Sequence, residues 1–218
     1  MGHSAAQALG RIGPKAKTAA GVLAEALNSD DAQLRVAAAL AHWQVTGKRV
    51  TAIPVLCRAL KDPDPSVRHD AVFALGEIGP QASAAVPDLL AVLKYRDKIV
   101  RDLAIMAIGK IGVMTDNVVS ALAAMLKDED EMVRVQAAWV FQHWGPKAKA
   151  AVPALIDALE DKEDQVRKTS AEALGAMGPA ARSAVPALLK ALNGPRPPAH
   201  ARGALEAIDP EAAAKTFP

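Results

Sequence analysis

The chain has 218 residues, of which 51% are hydrophobic and only 3% aromatic, and its formal net charge is +2. The balance of 26 basic against 24 acidic residues gives no reason to expect nucleic acid or an anionic membrane as the main partner. Cys57 is the only cysteine, so no internal disulfide can form. No apolar run of about 18 residues and no signal-peptide pattern is present, so a cytoplasmic protein is expected.

Five arginines return at a fixed interval of 33 residues, and the residues around them return with the same period. They are Arg35, Arg68, Arg101, Arg134 and Arg167. A strict period of this length is typical of stacked helical repeats. The sequence therefore predicts an all-α fold, a right-handed α-solenoid of antiparallel helix pairs that forms a single array over residues 1–218.

The array divides into one truncated unit, five complete units and a partial C-terminal cap. In chain order these are 1–30, 31–63, 64–96, 97–129, 130–162, 163–195 and 196–218. Met1 falls in the column of Leu34 and Val67, so the chain is expected to begin inside its first helix, as a fragment of a longer array or at an artificial boundary. At the other end, Asp209-Pro210-Glu211 and an alanine-rich tail are typical of a cap.

Unit 64–96 shows what each part of a repeat is expected to do. Asp64 is a good N-cap and Pro65 suits the first helical position, while Gly79-Pro80 ends the first helix. The inward face of this helix carries apolar residues at helical spacing: Val67, Ala71, Ala74, Leu75 and Ile78. A second helix follows with Val86, Leu89, Leu90 and Leu93 on its apolar face, and Pro87 is acceptable only in its first turn.

An acidic column stands four residues before the arginines. It comprises Asp31, Asp64, Asp97, Asp130 and Glu163. An acid at a helix start complements the helix dipole and can pair with a basic residue at i+4. The arginines lie beside the inward face, so we expect them to reach toward the neighbouring unit and to form a structural ladder with the acids. An anion-binding ladder is the alternative.

The quoted columns resemble HEAT repeats of the short type related to phycobilisome lyases. The resemblance depends on D-x-x-V-R, A-L-G-x-I-G-P and A-V-P-x-L-L-x-A-L-K-D, and it covers nearly the whole chain. It implies that second helices line a concave face and first helices a convex one. It leaves the chemistry open, because such arrays serve as scaffolds, lyase subunits and regulators.

Residues that could carry chemistry are few. His69-Asp70 resembles the His-Glu pairs of iron-binding HEAT hydroxylases, but those enzymes need several such pairs. Cys57 aligns with Leu90, Ile156 and Leu189, which predicts an inert buried thiol. The acidic run 128–131 lacks the spaced ligands of a calcium loop. We therefore predict no catalytic residue, no metal site and no cofactor.

The remaining aromatic and histidine residues have structural expectations. His42 replaces Leu75 and Ile108 in its column, so it should be partly buried and bonded to a neighbour. Phe141 and Trp144 are expected in the core. Trp43 should fill space beside the proline-free turn at 46–48.

The turns inside units are basic and the loops between units are acidic. The basic residues are Lys15, Lys17, Lys48, Arg49, Lys147, Lys149 and Arg182, and the acidic ones are Asp30, Asp62, Asp128, Glu129, Glu131, Asp161 and Asp164. This predicts one basic and one acidic edge, explained by dipole complementarity and solubility or, alternatively, by docking.

The second helices offer two rows of predicted concave positions. The rows are Val22, Val55, Asp88, Ala121, Ala154 and Ala187, and Glu25, Arg58, Ala91, Ala124, Asp157 and Lys190. Small side chains leave room for a partner, but the rows hold no obvious catalytic group. Either a smooth surface or a ligand cleft fits them.

One outward column of the first helices is unexpectedly apolar. Phe73 lies about 145° from the centre of the inward face, at 100° per residue, and its equivalents include Leu40, Met106 and Trp139. Large apolar groups in register on a surface indicate a covered face. We predict a protein-binding stripe, with a core extension as the alternative, made of Val36, Leu40, Phe73, Ile99, Met106, Met132, Val135 and Trp139.

Together these patterns predict a non-catalytic scaffold or adaptor that binds an unidentified protein through the stripe or the concave face, with self-association as a second use of the stripe. No nucleic acid and no membrane partner is predicted. The alternative is a lyase-like or chaperone subunit that binds a small chromophore or another ligand.

Overall fold

A computed structural model describes residues 2–217, which form helices and contain no β-strand. The contacts divide the chain into two units, Met1–Val113 and Met114–Pro218, each described by itself below. The boundary falls between the two helices of repeat 97–129. The all-α prediction is confirmed. The predicted placement of Met1 in the first helix lies outside the described residues.

The described residues of the first unit form seven α-helices, and consecutive repeats stack their first helices side by side. The helices are α1 His3–Ile12, α2 Ala20–Ala26, α3 Ala32–Thr46, α4 Arg49–Ala59, α5 Pro65–Ile78, α6 Val86–Val92 and α7 Lys98–Ile111. Helix α3 packs against α1 on one side and α5 on the other, and α5 also contacts α7. The second helices α2, α4 and α6 pack beneath these.

In the second unit, the part of the chain described up to residue 217 forms seven further α-helices in the same arrangement. They are α8 Asp116–Met125, α9 Glu131–Trp144, α10 Val152–Ala158, α11 Asp164–Met177, α12 Val185–Leu192, α13 Ala201–Ile208 and α14 Pro210–Thr216. Helix α11 packs between α9 and α13. Asp209 caps α14 by accepting a hydrogen bond from the Ala212 amide, so the predicted polar turn starts a short final helix.

The four Gly-Pro turns continue as 3₁₀ helix, which the expectation of a plain helix stop missed. Gly79 has φ +64° and ψ −137°, a backbone region that is nearly exclusive to glycine. The 3₁₀ segments that follow are Gly13–Ala19, Gly79–Ala85, Gly145–Ala151 and Gly178–Ala184. Each is kinked at its fourth residue, which leaves the helical region: Ala16, Ala82, Ala148 and Ala181. Each segment delivers the chain to its second helix, and Pro87 falls in the first turn of α6 as predicted.

The proline-free turn after α3 has a different shape. Gly47 adopts the left-handed conformation, with φ +69° and ψ 3°. Helix α4 then starts at Arg49 without a 3₁₀ segment. As a result Pro54, the counterpart of Pro87, lies inside α4, where it cannot donate a backbone hydrogen bond.

The interior of each unit follows the predicted inward faces. The five residues predicted for α5 are all buried, and so are Phe141 and Trp144, whose rings meet edge to face at 6.0 Å. His42 is also buried, and its Nδ1 lies 3.1 Å from the Thr51 hydroxyl, as expected for a bonded core histidine. Trp43 is half-buried, with its Nε1 3.5 Å from Oε1 of Gln81.

Candidate binding surface

The acidic column caps helices. The Asp31 carboxylate accepts hydrogen bonds from the amides of Gln33 and Leu34, and Asp64 accepts one from Ser66. Asp97 and Asp130 cap α7 and α9 in the same way, whereas the side chain of Glu163 makes no cap bond to α11. These bonds satisfy amides that would otherwise lack partners at helix starts.

The arginine column ties each first helix to the loop that precedes it. Arg35 Nη1 donates to the carbonyls of Ser29 and Asp30 at 2.7 and 2.9 Å. The other four repeat this geometry with the carbonyls six and five residues earlier. The spacing allowed an i,i+4 ion pair between each acid and its arginine, but other bonds form instead. The Asp31 and Asp64 carboxylates accept from backbone amides. The guanidinium groups of Arg35 and Arg68 donate to backbone carbonyls.

Arg68, Arg134 and Arg167 also pair with carboxylates. Arg68 Nη2 lies 3.6 Å from Asp97 of the next repeat, and Arg134 makes two bonds to Asp161 in the following loop. Arg167 pairs with Asp164 on its own helix. We expected the arginines to reach the neighbouring unit: Arg68 does so through Asp97, whereas Asp161 belongs to the same unit as Arg134, 130–162.

His69 belongs to this structural network. Its Nε2 lies 2.9 Å from Asp97 Oδ2, while Asp70 is exposed beside it. Burial opposes the ionisation of Asp97, but hydrogen bonds from His69 and the amides of Val100 and Ile99 outweigh it, and the pKa of Asp97 lies below its usual range. Within residues 2–217, no three His, Cys, Asp or Glu side chains come together as a metal site.

The predicted stripe is exposed in places and buried in others. Phe73 and Ile99 are each 53% exposed, Met132 and Trp139 are exposed, and Leu40, Met106 and Val135 are half-buried. Val36 was predicted to be on the surface but is only 3% exposed. The reason is its place on α3, which lies between α1 and α5 and carries short outward side chains.

A groove runs over α3 in the first unit. It has a volume of about 300 Å³ and is lined by outward residues of α1, α3 and α5. At the four outward positions where α5 carries His69, Asp70, Phe73 and Glu77, α3 carries shorter or less polar residues: Val36, Ala37, Leu40 and Gln44. The side chains of the flanking helices therefore stand above α3.

The walls of this groove differ in charge. Helix α1 contributes His3, Gln7 and Arg11, and α5 contributes Asp70 and Glu77. Glu77 is already paired with Lys110 at 2.9 Å. An apolar floor between a basic and an acidic wall suits a partner segment with one apolar face and polar edges.

Sequence reasoning found Leu40 and Phe73 but missed the contribution of α1. Neither Gln7 nor Arg11 was part of the predicted stripe. The groove could have been found from the difference in side-chain size between neighbouring repeats. Ala37 and Leu40 on one repeat are smaller than Asp70 and Phe73 on the next, so the surface is lower over α3.

In the second unit the outward face of α9 forms a smaller patch. Trp139 stacks on His143 with ring centroids 3.7 Å apart, and the imidazole Nδ1 lies 2.9 Å from the Trp139 carbonyl oxygen. Met132, one of the most exposed apolar residues, lies two turns earlier on the same helix. The patch presents an aromatic surface whose orientation is fixed by its neighbour.

The predicted concave rows have mixed burial. In the first row Val22 is exposed and Val55 is buried, whereas all six residues of the second row are exposed. Cys57 is only half-buried, a correction to the expected core position that its partly accessible counterparts Leu90, Ile156 and Leu189 share. Burial and the adjacent Asp88 raise the pKa of the Cys57 thiol to about 11, so it remains protonated.

Two acidic loop residues stabilise turns. Asp62 accepts a hydrogen bond from the amide of Asp64, and Asp161 accepts one from Glu163, which are Asx-type turns. The basic turn residues Lys15, Lys17, Lys147 and Lys149 are exposed. Of the described helices, none is long and apolar enough to cross a bilayer.

Comparison with protein families identifies the family of the chain. The family model for HEAT repeats matches residues 53–131 and 118–209. The chain belongs to the HEAT-repeat family. The resemblance seen in the motifs is therefore confirmed, and no curated protein matches the HEAT-repeat chain in sequence.

Solved structures agree with this assignment. An engineered protein is 24% identical with a TM-score of 0.63, over 88% of this chain and 96% of that one. A designed armadillo repeat protein in complex with the peptide (KR)4 is 22% identical with a TM-score of 0.63, over 86% and 98%. These two similarities show the fold alone, an all-α solenoid of the HEAT and armadillo kind.

A third structure is the complex of CpcE and CpcF of phycocyanin lyase from Nostoc sp. PCC7120. The match is 28% identical with a TM-score of 0.59, and it covers 73% of this chain and 65% of the lyase chain. The HEAT-repeat chain thus spans about two thirds of the length of that relative.

Proposed function

We propose that this HEAT-repeat chain is a non-catalytic scaffold that binds a protein partner in the groove over α3. The observation that carries the proposal is Phe73, which is 53% exposed at the edge of a groove whose floor includes half-buried Leu40. A large aromatic on a helix surface gains little from folding, and such residues are the usual anchors of protein interfaces.

The size of the groove favours side chains of a partner over a whole ligand. A volume of about 300 Å³ is at the lower limit of small-molecule sites, which run to about 1,000 Å³. An apolar side chain inserted beside Phe73 would be covered by Leu40 below and by α1 on the far side. The polar walls then supply hydrogen bonds at the rim of the interface.

Similarity in fold supports a peptide or protein as the ligand class. The designed armadillo repeat protein among the structural neighbours holds a peptide. The Trp139 patch on α9 is a second apolar surface in the other unit, and we assign it to the same kind of partner or to self-association. We propose neither nucleic acid nor membrane as a partner, since the chain is nearly neutral.

The non-catalytic assignment is supported by what the reactive groups do. Cys57 stays protonated beside Asp88, His42 is bonded to Thr51 in the interior, and His69 holds the capping carboxylate of Asp97. Each of these side chains serves the fold.

A lyase-like subunit is the second candidate, favoured by the 28% identity to the phycocyanin lyase complex. It predicts that the purified chain binds a bilin and changes its absorption spectrum. If the bilin spectrum stays unchanged with the chain at about 100 μM, a concentration above the dissociation constants of ordinary small-ligand complexes, this candidate is excluded.

The test of the scaffold function uses two residues of equal exposure in the same unit. Phe73 lines the groove, whereas Ile99 on α7 does not, and both are 53% exposed. A partner captured on the immobilised chain is purified, and its affinity for wild type, Phe73→Ser and Ile99→Ser is measured by calorimetry. We expect Phe73→Ser to weaken binding at least about tenfold, as for an interface anchor, and Ile99→Ser by less than about threefold.

Two outcomes would contradict the proposal that the partner binds in the groove. Equal loss in both variants would place the partner on a broad apolar surface, and unchanged affinity in both would place it elsewhere. Circular dichroism of each variant must match that of the wild type, so that a loss of binding is not a loss of fold.

A further inference from the structure

Two cavities in the second unit stand in the same register, one repeat apart. The first has a volume of about 250 Å³ and contains Arg134 in its lining, and the second has about 240 Å³ and contains Arg167. Seven of the nine residues that line the first cavity have their counterpart, 33 positions later, in the lining of the second, so most differences between the cavities come from side-chain identity. They provide a comparison within one molecule.

In the first cavity the guanidinium has a carboxylate of its own. Arg134 Nε donates to Asp161 Oδ2 at 2.9 Å, and Nη2 donates to Oδ1 at 3.0 Å. Both side chains are largely buried. This two-bond geometry is the strongest arrangement available to a guanidinium and a carboxylate.

In the second cavity the position equivalent to Asp161 is Gly194. Arg167 Nη2 bonds instead to Asp164, whose side chain is 71% exposed. The Nε of Arg167 is buried and has no hydrogen-bond partner within residues 2–217, although the side chain is only 7% exposed. A buried charged donor without an acceptor is unfavourable. The Nε of Arg68 is in the same state, but Arg68 has the half-buried Asp97 as its ion-pair partner, whereas the partner of Arg167 is exposed.

The charge around the two cavities differs in the same direction. The Arg134 cavity is lined by three cations and three carboxylates: Lys127, Arg134, Lys162, Asp128, Asp157 and Asp161. The Arg167 cavity is lined by Arg167, Lys190, Arg196 and one carboxylate, that of Glu160, which bonds to Lys190. With Asp164 included, the cavity is surrounded by three positive and two negative side chains, a net charge of +1.

We propose that the Arg167 cavity is a binding site for a carboxylate of a peptide. The carboxylate takes the role toward Arg167 that Asp161 has toward Arg134. Because the Nε is buried in the unliganded chain, the guanidinium shifts toward the cavity so that its Nε edge meets the carboxylate oxygens. Arg196 and Lys190, which also line the cavity, add positive charge. The site belongs to the second unit and does not depend on the groove over α3.

The geometry selects carboxylate over a neutral amide. An amide presents one acceptor oxygen to the Nε edge, and its NH₂ group would face another donor. Carboxylates in peptides come from Asp and Glu side chains and from the C-terminus, and both offer the same two oxygens. The experiment therefore has separate arms for the two sources.

The probes are three short peptides titrated into the full chain. The first has an acetylated N-terminus, an amidated C-terminus and one central Glu, the second replaces Glu by Gln, and the third keeps Gln but has a free C-terminal carboxylate. Binding is followed by calorimetry and by the NMR signals of the arginine Nε–H groups, with the Arg167 signal assigned from Arg167→Lys. Arg134 Nε is the internal control, because Asp161 already occupies it.

We expect the Glu peptide to bind at least about tenfold more tightly than the Gln peptide and to shift the Arg167 Nε signal, with Arg134 unchanged. Binding of the third peptide would identify the C-terminal carboxylate as a source as well. Gly194→Asp should abolish both responses by supplying an internal carboxylate. A Cβ there lies 3.3 Å from the nearest atom, the Ala191 carbonyl oxygen, so the side chain fits with a small adjustment.

The matched control is Gly21→Asp, which makes the same chemical change on α2, where a Cβ has open space. It should leave binding unchanged. Three results would overturn the proposal: equal affinity for the Glu and Gln peptides, a response that survives Gly194→Asp, or inorganic phosphate binding as tightly as the Glu peptide.

Discussion

Inward and outward positions of the same first helices differ in what determines them. Leu75, Ile108 and Leu174 share an inward column and are fully buried. The outward column two residues earlier runs from half-buried Leu40 to exposed Phe73. Packing against neighbouring repeats explains the inward column completely, but it gives the outward residues little reason to be large and apolar. The difference teaches that folding determines the inward column but leaves the outward column undetermined, and our proposal assigns the outward column to binding.

The largest effect is expected for an inward substitution. Leu75→Ala removes a fully buried side chain and leaves a cavity, which should lower the free energy of unfolding by about 3 kcal/mol. Urea denaturation followed by circular dichroism measures this. A loss below about 1 kcal/mol would mean that the repeat interface relaxes around the gap and that the inward column is less constrained than described.

The buried ion pair should have the next largest effect. Asp161→Ala leaves Arg134 without its two-bond partner in a largely buried site, and we expect a loss of about 2 kcal/mol in the free energy of unfolding. Asp164→Ala, which removes an exposed partner of Arg167, should cost less than about 1 kcal/mol. Equal losses from the two variants would contradict the ranking.

A smaller effect is expected from pH. Burial, followed by the nearby Lys48, lowers the pKa of His42, so the folded chain holds this imidazole neutral. As the pH falls through the pKa of histidine in the unfolded chain, near 6.5, the unfolded chain binds a proton at His42 but the folded chain does not. The free energy of unfolding therefore decreases. His42→Leu should reduce the loss of thermal stability between pH 7.5 and 5.5. A slope that His42→Leu leaves unchanged would refute this assignment.

Ser170 offers a test with the opposite sign. Its hydroxyl is fully buried without a hydrogen-bond partner among the described residues, at a position where the other repeats carry Ala38, Ala71, Ala104 and Ala137. Ser170→Ala removes an unsatisfied polar group, so the free energy of unfolding should stay the same or rise by up to about 1 kcal/mol. A clear loss, measured by urea denaturation, would show that the hydroxyl has a bonding role.

Most of the fold could be predicted from the sequence because its determinants are local and repeated. The Asp64 cap, the Gly79 turn and the inward face of α5 each depend on residues within one repeat, and the same pattern returns every 33 positions. The 3₁₀ segment after Gly79 was missed, because a helix stop and a change of helix type use the same Gly-Pro signal.

The binding surface was harder to predict because it depends on differences between repeats. Val36 is buried although its equivalents His69 and Val135 are half-buried, since the side chains of neighbouring helices rise above α3. The bonds of Arg68 and Arg134 depend on where the next loop lies, which helical spacing does not specify. Gly194 stands out only after Asp161 is seen bonded to Arg134.

The central claim is that the outward apolar residues serve binding and contribute little to folding, and urea denaturation of Phe73→Ser tests it most directly. Phe73 lies on the same helix as Leu75, so the two variants report on the two columns under the same conditions. We predict a free energy of unfolding within about 1 kcal/mol of the wild type, as for a surface substitution. A loss approaching that of Leu75→Ala would make Phe73 part of the core and contradict the account.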